Sequence, residues 1–310
     1  MANGFADLDR TVVVEGVTLH LAHPDEIPIK WVGQPELTRQ LKAAWLTVHE
    51  HDVPMTPRLL GKPGVGKTTL AYATAKSLGR EVYIMQATLD TRPEDLLITP
   101  VIEGEGRLRY VASPLVTAML RGGVAILDEG NRMSEKSWAS LAPLLDVRRY
   151  VESIVAGIKI HAHRNFRMVA TMNDDSSTFE LPEYIHSRLQ PQIKVAFPNA
   201  AEEKEIFKAN LPHSDEELLN VVAEFLGRCH KFELPVASRD GIHIVRYAER
   251  LIAKIGISAP EAIGQATMQI VGEEFAQYLD PEFEPPQPQR VSLADAEYLL
   301  TRFNTSGRSN

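Results

Sequence analysis

Residues 59–69 read LLGKPGVGKTT. Within them, Gly61, Lys62, Pro63, Gly64, Val65, Gly66, Lys67 and Thr68 meet the pattern G-x-x-x-x-G-K-[ST] in full. Glycines at this spacing let the backbone curl into a nest of N–H groups around a phosphate chain. A helix expected over 67–78 begins at the same point, so its unpaired N–H groups and positive dipole end face the anion. Lys67 would reach the β- and γ-phosphates, the Thr68 hydroxyl would ligate Mg²⁺, and Thr69 follows in the first turn. Leu59-Leu60 close a strand and Leu70-Ala71 continue a helix. That strand–loop–helix context separates the stretch from a plain glycine-rich turn.

Working outward, short apolar runs at 58–60, 82–86, 124–128, 167–172 and 193–197 alternate with helical patterns at 67–78, 114–121 and 135–145. Such alternation predicts an α/β fold with a mostly parallel sheet. Residues 12–21 suggest a hairpin turned at Glu15-Gly16, and 36–50 a helix. Two further hairpins interrupt the alternation: 98–111 with Gly104 and Gly106 at its turn, and 149–163 turned at Ala156-Gly157. After Pro198 the pattern is helical throughout 199–280. Three starts there pair a cap with an acid: Asn199 with Glu202, Ser214 with Glu217, Ser258 with Glu261. PEFEPPQPQ (281–289) reads as a stiff linker before a short helix at 292–303. The expected organisation is an N-terminal segment (1–30), a nucleotide-binding α/β domain (31–198), a helical lid (199–280) and a tail (281–310).

Val124-Ala125-Ile126-Leu127 is a buried-strand run closed by Asp128-Glu129. An acid at that strand tip, beside the phosphate loop, suits Mg²⁺, so Asp128 takes the metal role, through water. Glu129 is placed to orient and deprotonate a water aimed at the γ-phosphate, which favours hydrolysis over transfer to a bulky acceptor. The plainer reading of the pair is a cap on the next helix. Arg167–Asn173 is another apolar strand, ending in an amide that would hold the attacking water from the other side; alone, Asn173 beside Asp174-Asp175 would read as a turn.

Of 310 residues, 44% are apolar and 24% charged, as in a folded soluble chain, and the net charge of −8 weighs against a nucleic-acid binder. A single cysteine, Cys229, forms no disulfide within the chain and no cysteine zinc site. The polar start MANGFADLDR is unlike a leader, and no apolar run approaches membrane-spanning length, so the expected location is the cytoplasm. His161 and His163 put two imidazoles on one strand face, but zinc would need a third ligand. Arg148-Arg149 is too small a basic pair to suggest DNA binding.

The order of phosphate loop, VAILDEGNR, VATMN and LPEYIHSRL (181–189) resembles the AAA+ ATPases, and among them the MoxR family and its CbbQ/NorQ-like relatives with a helix-2 insert. The resemblance covers roughly residues 30–255. It implies ATP as the nucleotide, Asp128-Glu129 as the Walker B pair, Asn173 as sensor 1, Arg188 as the arginine finger and Arg239 as sensor 2, acting in cis or in trans. Arg132 is a further interface candidate, with a structural ion pair as its ordinary role. The resemblance also implies a ring homo-oligomer, usually a hexamer, that remodels a client protein. That client often has a von Willebrand A domain, and the outcome is often maturation of a metalloenzyme. Gly130 stands where the family carries a bulkier apolar residue, and His186-Ser187 replaces its Leu-Asp. Nothing in the sequence places Arg188 near its own phosphate loop, which fits a cation supplied to a neighbour. Glu103 and Glu105 read as a solvated hairpin tip or, at a ring pore, as a preference for a basic or polar segment. The rival readings are a DNA-associated motor, a nucleotide-gated scaffold with little turnover and, more distantly, a small-molecule kinase.

Overall fold

The structure is a computed structural model that describes residues 10–174 and 181–285. Thr11–Val14 (β1) and Val17–His20 (β2) form the expected hairpin, turned at Glu15 (φ 47°) and Gly16 (φ 84°). Two left-handed residues in succession are what a two-residue hairpin loop requires. Helix α1 (Pro35–Trp45) stops short of the expected 36–50. Asp52 accepts the Val48 N–H at 2.9 Å, a local turn that competes with further helix.

Five strands form the central sheet: β3 (Arg58–Gly61), β4 (Val82–Gln86), β7 (Val124–Asp128), β10 (Arg167–Asn173) and β11 (Gln192–Lys194). Their order is β11-β3-β10-β7-β4, and every pairing is parallel. Both faces are covered, which explains the unbroken apolar runs. In β7, Val124 and Ile126 pack in a core with Leu41 of α1 and Leu70 of α2 (Lys67–Ser77), while Ala125 and Leu127 face a second core. β11 is shorter than the expected 193–197, because β3 leaves the sheet at Gly61 to enter the phosphate loop and offers no further partner.

Between β4 and β7 lie α3 (Pro93–Leu96), the first inserted hairpin, β5 (Ile98–Ile102) with β6 (Leu108–Ala112), and α4 (Pro114–Arg121). α4 is capped by Ser113, which accepts from Val116 N. α5 (Glu135–Leu141) ends before the expected 145, since Pro143 has no N–H to continue the ladder. The second insert, β8 (Tyr150–Ser153) with β9 (Ile158–His161), follows as expected, and α6 (Glu183–His186) precedes β11. The first two hairpins also join, a pairing that nothing in the sequence pattern signals. β2 pairs in parallel with β6, giving one four-stranded sheet, β1-β2-β6-β5. Glu15 at the tip of the first hairpin also accepts the Lys159 N–H of β9 at 3.2 Å.

The helical stretch contains α7 (Ala200–Asn210), α8 (Glu216–Lys231), α9 (Ser238–Arg250), α10 (Ala259–Val271) and α11 (Glu273–Ala276); a π-turn, Leu251–Ile255, extends α9. Asn199 and Glu202 form the expected reciprocal cap. The cap of α8 is Asp215 rather than Ser214: its carboxylate accepts from Glu217 N at 2.9 Å and Leu218 N at 3.2 Å and adds a negative charge where the helix dipole favours one. Ser258 precedes α10 without a side-chain cap bond, and Pro260 removes one N–H it would have taken.

The described residues up to 276 form one compact unit, and 277–285 fall in another. In the second, Gln277–Leu279 makes a 3-10 turn and Tyr278 meets Phe283 edge-on at 5.0 Å. The helix expected over 292–303 and residues 286–289 of the proline-rich stretch lie outside the described residues. Among the described residues, no helix is long and apolar enough to cross a membrane.

Candidate functional site

The phosphate loop joins β3 to α2 at the carboxyl edge of the sheet. Gly64 (φ 80°) and Gly66 (φ 93°) take left-handed conformations, and Gly66 is the N-cap of α2. Lys67 is nearly buried; its ammonium donates to the carbonyls of Gly61 (2.8 Å) and Lys62 (2.9 Å) and to Asn173 Oδ1 (2.9 Å). Asn173 ends β10 in register with Gly61 of β3, so parallel pairing brings the amide to the lysine.

Asp128 closes β7 beside them. Its Oδ1 accepts the hydroxyls of Thr68 (2.7 Å) and of Thr171, the latter at short range. Thr171 Oγ1 also accepts the Glu129 N–H at 3.1 Å. A hydroxyl and a carboxylate at this spacing are the hard oxygen donors Mg²⁺ prefers, so Thr68 and Asp128 fit that ion. Glu129 sits in the left-handed region (φ 55°, ψ 40°). A non-glycine residue there is strained, and such strain concentrates at functional sites. Asn173 Nδ2 lies 3.4 Å from Glu129 Oε1, and the Arg132 guanidinium is 2.6 Å from Oε2. The Arg132 Nε–H has no hydrogen-bond acceptor, so this contact is an ion pair without an aligned bond. Arg132 thus has an ion-pair role, and its partner is the candidate base.

A cavity of about 320 Å³ contains the loop, Asp128, Glu129 and Asn173. Arg239 lines it from the start of α9. A Cβ placed on Gly64 would lie 3.7 Å from Arg239 Nε and Nη2 and 2.8 Å from Ala237 Cβ, so this arginine lies against the phosphate loop of its own chain. Gly64→Ala is therefore expected to weaken nucleotide binding at least about tenfold, since the new methyl meets both a wrong φ and Ala237. Titration with a fluorescent nucleotide checks this, and unchanged affinity would contradict it. Arg188 does not line the cavity. Its Nη1 donates to Tyr184 O at 2.6 Å, and Nε is 3.7 Å from Asp146 Oδ2.

Several residues in or behind the cavity wall carry no signal in the sequence. Asn131, in the turn after β7, is buried and clamps the end of β10: its Nδ2 donates to Asn173 O (2.8 Å) and its Oδ1 accepts Asn173 N (3.3 Å). Its place in DEGNR was the one clue. Thr171 hides within an apolar run. Trp31, in a stretch with no period, presses on Gly66, where a Cβ would meet its ring at 3.0 Å. Lys30 beside it is clasped by Asn210 of α7, N to Oδ1 at 2.7 Å and Nδ2 to O at 3.1 Å. Both departures from the family pattern have local causes. A Cβ on Gly130 would meet the Trp138 ring at 3.1 Å. His186 supplies its carbonyl (3.0 Å) and ring nitrogen (2.8 Å) to the buried Arg58.

The features set aside are structural. His163 lies beyond the end of β9 and accepts Asn165 N at 3.1 Å, so the two histidines do not share a strand face. No group of three metal-binding side chains occurs among the described residues. Arg148 pairs with Asp146 at 2.7 Å, Arg149 donates to Phe166 O at 3.0 Å, and Glu103 pairs with Arg109 at 2.9 Å.

Residues 58–189 match the family model described as "AAA domain (dynein-related subfamily)". The chain is 30% identical to "Protein MoxR" of Paracoccus denitrificans over 148 residues, covering 47% of this chain and 42% of that protein. It is 28% identical to "Uncharacterized protein YeaC" of Bacillus subtilis over 166 residues, 52% of this chain and 49% of that one. The chain thus spans about half the length of these relatives. The "Holliday junction branch migration motor" RuvB of Thermotoga maritima has a TM-score of 0.52 at 20% identity, over 77% of this chain and 70% of that chain. At that identity the likeness is one of fold.

Proposed function

We propose that this chain, which has the AAA P-loop NTPase fold, is a member of the MoxR family and hydrolyses ATP in a ring of its own copies to change the conformation of a client protein. The observation that carries the hydrolytic reading is Asn173, whose one amide touches both Lys67 (2.9 Å) and Glu129 (3.4 Å). Glu129 accepts a proton from water as the water oxygen bonds to the γ-phosphorus. The bond to the bridging oxygen breaks, and Lys67 neutralises the developing charge. Thr68 and Asp128 would hold Mg²⁺, which supplies charge neutralisation at the phosphates. A kinase would need an acceptor pocket beside this water, and a scaffold would not need Glu129.

Arg188 supports the ring, since it stands outside its own cavity and a complete site then requires a neighbour. The helical segment serves as the lid, with Arg239 as its contact to the loop, and swings as a hinge. The two inserted hairpins, β5–β6 and β8–β9, carry this motion outward. Their tips expose large apolar side chains: Ile154 is 95% exposed, and Ile102 (75%) pairs across β5–β6 with Leu108 (60%). The client is a protein, and a von Willebrand A domain is the partner this family suggests. The tied-up Arg148 and Arg149 weigh against a DNA motor.

Ile154→Asp and Ile102→Asp are expected to leave ATP turnover measured without client within about twofold, as exposed substitutions do, and to abolish client capture by an ATP-trapped form. Phosphate release and co-purification with mass spectrometry measure the two. Equal capture by the variants would remove the hairpins from the account, and recovery of nucleic acid in place of protein would favour the DNA motor.

A further inference from the structure

Glu203, in the first turn of α7, is fully buried. Ser238, the first residue of α9, donates its hydroxyl to Glu203 Oε1 at 2.8 Å, while Oε2 has no hydrogen-bond partner. Burial pushes the carboxyl up to about 7; the Ser238 hydroxyl opposes this, Glu202 adds to it, and among the described residues no cation pairs with it. A carboxyl buried without a counter-ion is a costly way to tie two helices, since a neutral amide would accept the same bond.

Its position supplies a reason. Ser238 lines the nucleotide cavity, and the next residue, Arg239, lies against the phosphate loop. The turn 237–239 is held from behind by two acids: Asp240, which accepts Ala237 N at 2.9 Å, and Glu203 through Ser238. We propose that Glu203 is a positioning residue of the nucleotide site: through Ser238 it sets Arg239 over the phosphate loop, and it does so best as the neutral acid, so that proton loss from Glu203 loosens the grip on nucleotide. This rests on the reading of the cavity as a nucleotide site.

The charged and titratable groups around Glu203 and the cavity are few. On its own helix there is Glu202, which closes the α7 cap. On α9 there are Arg239 and Asp240, and further along it His243 and Arg246 line the cavity; both are present in every form compared, so they drop out of the ratio to Glu203→Gln. The buried side of α8 is apolar apart from Cys229, whose thiol is pushed up to about 12 by burial. At the end of α8, His230 faces the carbonyls of Pro198 and Val236, with its pKa lowered by burial. From the segment before α1, Gly33 approaches Glu202 and brings no charge. The sign follows from linkage. An acid held near 7 in the buried arrangement, against an ordinary 4.5, favours that arrangement fully below about 4.5; the advantage is lost as pH rises to about 7 and stays lost above it.

The test is the affinity for a fluorescent Mg-ADP analogue from pH 5.5 to 8.5, in wild type, Glu203→Gln and Ser238→Ala. Relative to Glu203→Gln, the wild-type Kd is expected to rise about fivefold or more across the range, since each unit of pKa displacement is worth tenfold. Nucleotide titration is common to all forms and cancels in this ratio. Ser238→Ala cuts the link and should flatten the profile, which keeps the test decisive if Glu203→Gln does not fold. In an Arg239→Ala background the difference between Glu203 and Gln should vanish. A merely structural role would lower the melting temperature and leave parallel profiles; parallel profiles, or a difference that persists without Arg239, overturn the inference alone. No nucleotide binding by wild type at any pH would overturn the phosphate-loop reading and this inference together.

Discussion

Glu129→Gln is expected to bind ATP as wild type does and to release phosphate about 10²–10⁴ times more slowly, the range lost with a positioned general base. The change is close to isosteric. Gln keeps an acceptor for Asn173 Nδ2 and loses only the charge that faces Arg132. Lys67 bonds to the carbonyls of Gly61 and Lys62, and Thr68 to Asp128; these contacts, at the groups that would hold the phosphates and Mg²⁺, are the same in the variant. Binding and turnover should therefore separate. Single-turnover phosphate release measures one, and equilibrium titration the other. The left-handed backbone at residue 129 is set by Thr171, which accepts its N–H, and that contact survives the substitution. Turnover within about threefold of wild type would transfer the base role away from Glu129. If both binding and turnover fail, the carboxylate is needed to hold the site together, and the hydrolytic reading loses its main support.

What the sequence made legible and what it did not divide along one line. Local signals were readable. Glycines at fixed spacing, β-branched runs buried on both faces and a Pro or Ser at a helix start each act within a few residues. They place β3, β4, β7, β10 and the phosphate loop to within a residue. Contacts between distant segments leave no period. The parallel pairing of Leu19 with Tyr110 joins two hairpins 91 positions apart, and neither hairpin shows the other in its pattern. The same holds at the site. Asn173 was readable as a polar strand end, but the amide of Asn131 that clamps its backbone was not. Glu203 looks like one more acid in a helix's first turn, and only packing against Ser238 turns it into a buried carboxyl. Helix ends went astray for local reasons that compete closely. Ser214 and Asp215 both offer a cap oxygen, and the charged one prevails at the positive end of the dipole.

Arg188→Ala is expected to abolish turnover about as fully as the loss of Glu129, at least about 10³-fold, because a cation at the γ-phosphate stabilises charge that exists only in the transition state. Affinity for ATP by separated subunits should not change, since among the described residues of its own chain the Arg188 side chain meets Tyr184 and Asp146, and neither lines the cavity. Loss of the 3.7 Å contact to Asp146 should cost little fold stability, about 0–1 kcal/mol for so loose and partly exposed a pair, which Arg148 in any case holds more closely. Complementation supplies the sharper test. A Lys67→Ala chain has a crippled phosphate loop and an intact Arg188, and the Arg188→Ala chain has the reverse. Neither alone should turn over ATP. Mixed one to one in a head-to-tail ring, roughly one interface in four pairs an intact loop with an intact arginine, and activity should return in that proportion. No single subunit can produce that recovery, because each carries a defect in its own chain. Recovery on mixing makes the active site a property of two copies. A mixture as inactive as its parts, or an Arg188→Ala chain that hydrolyses ATP unaided, would leave Arg188 as a surface residue beside Asp146 and the ring without a catalytic reason to form.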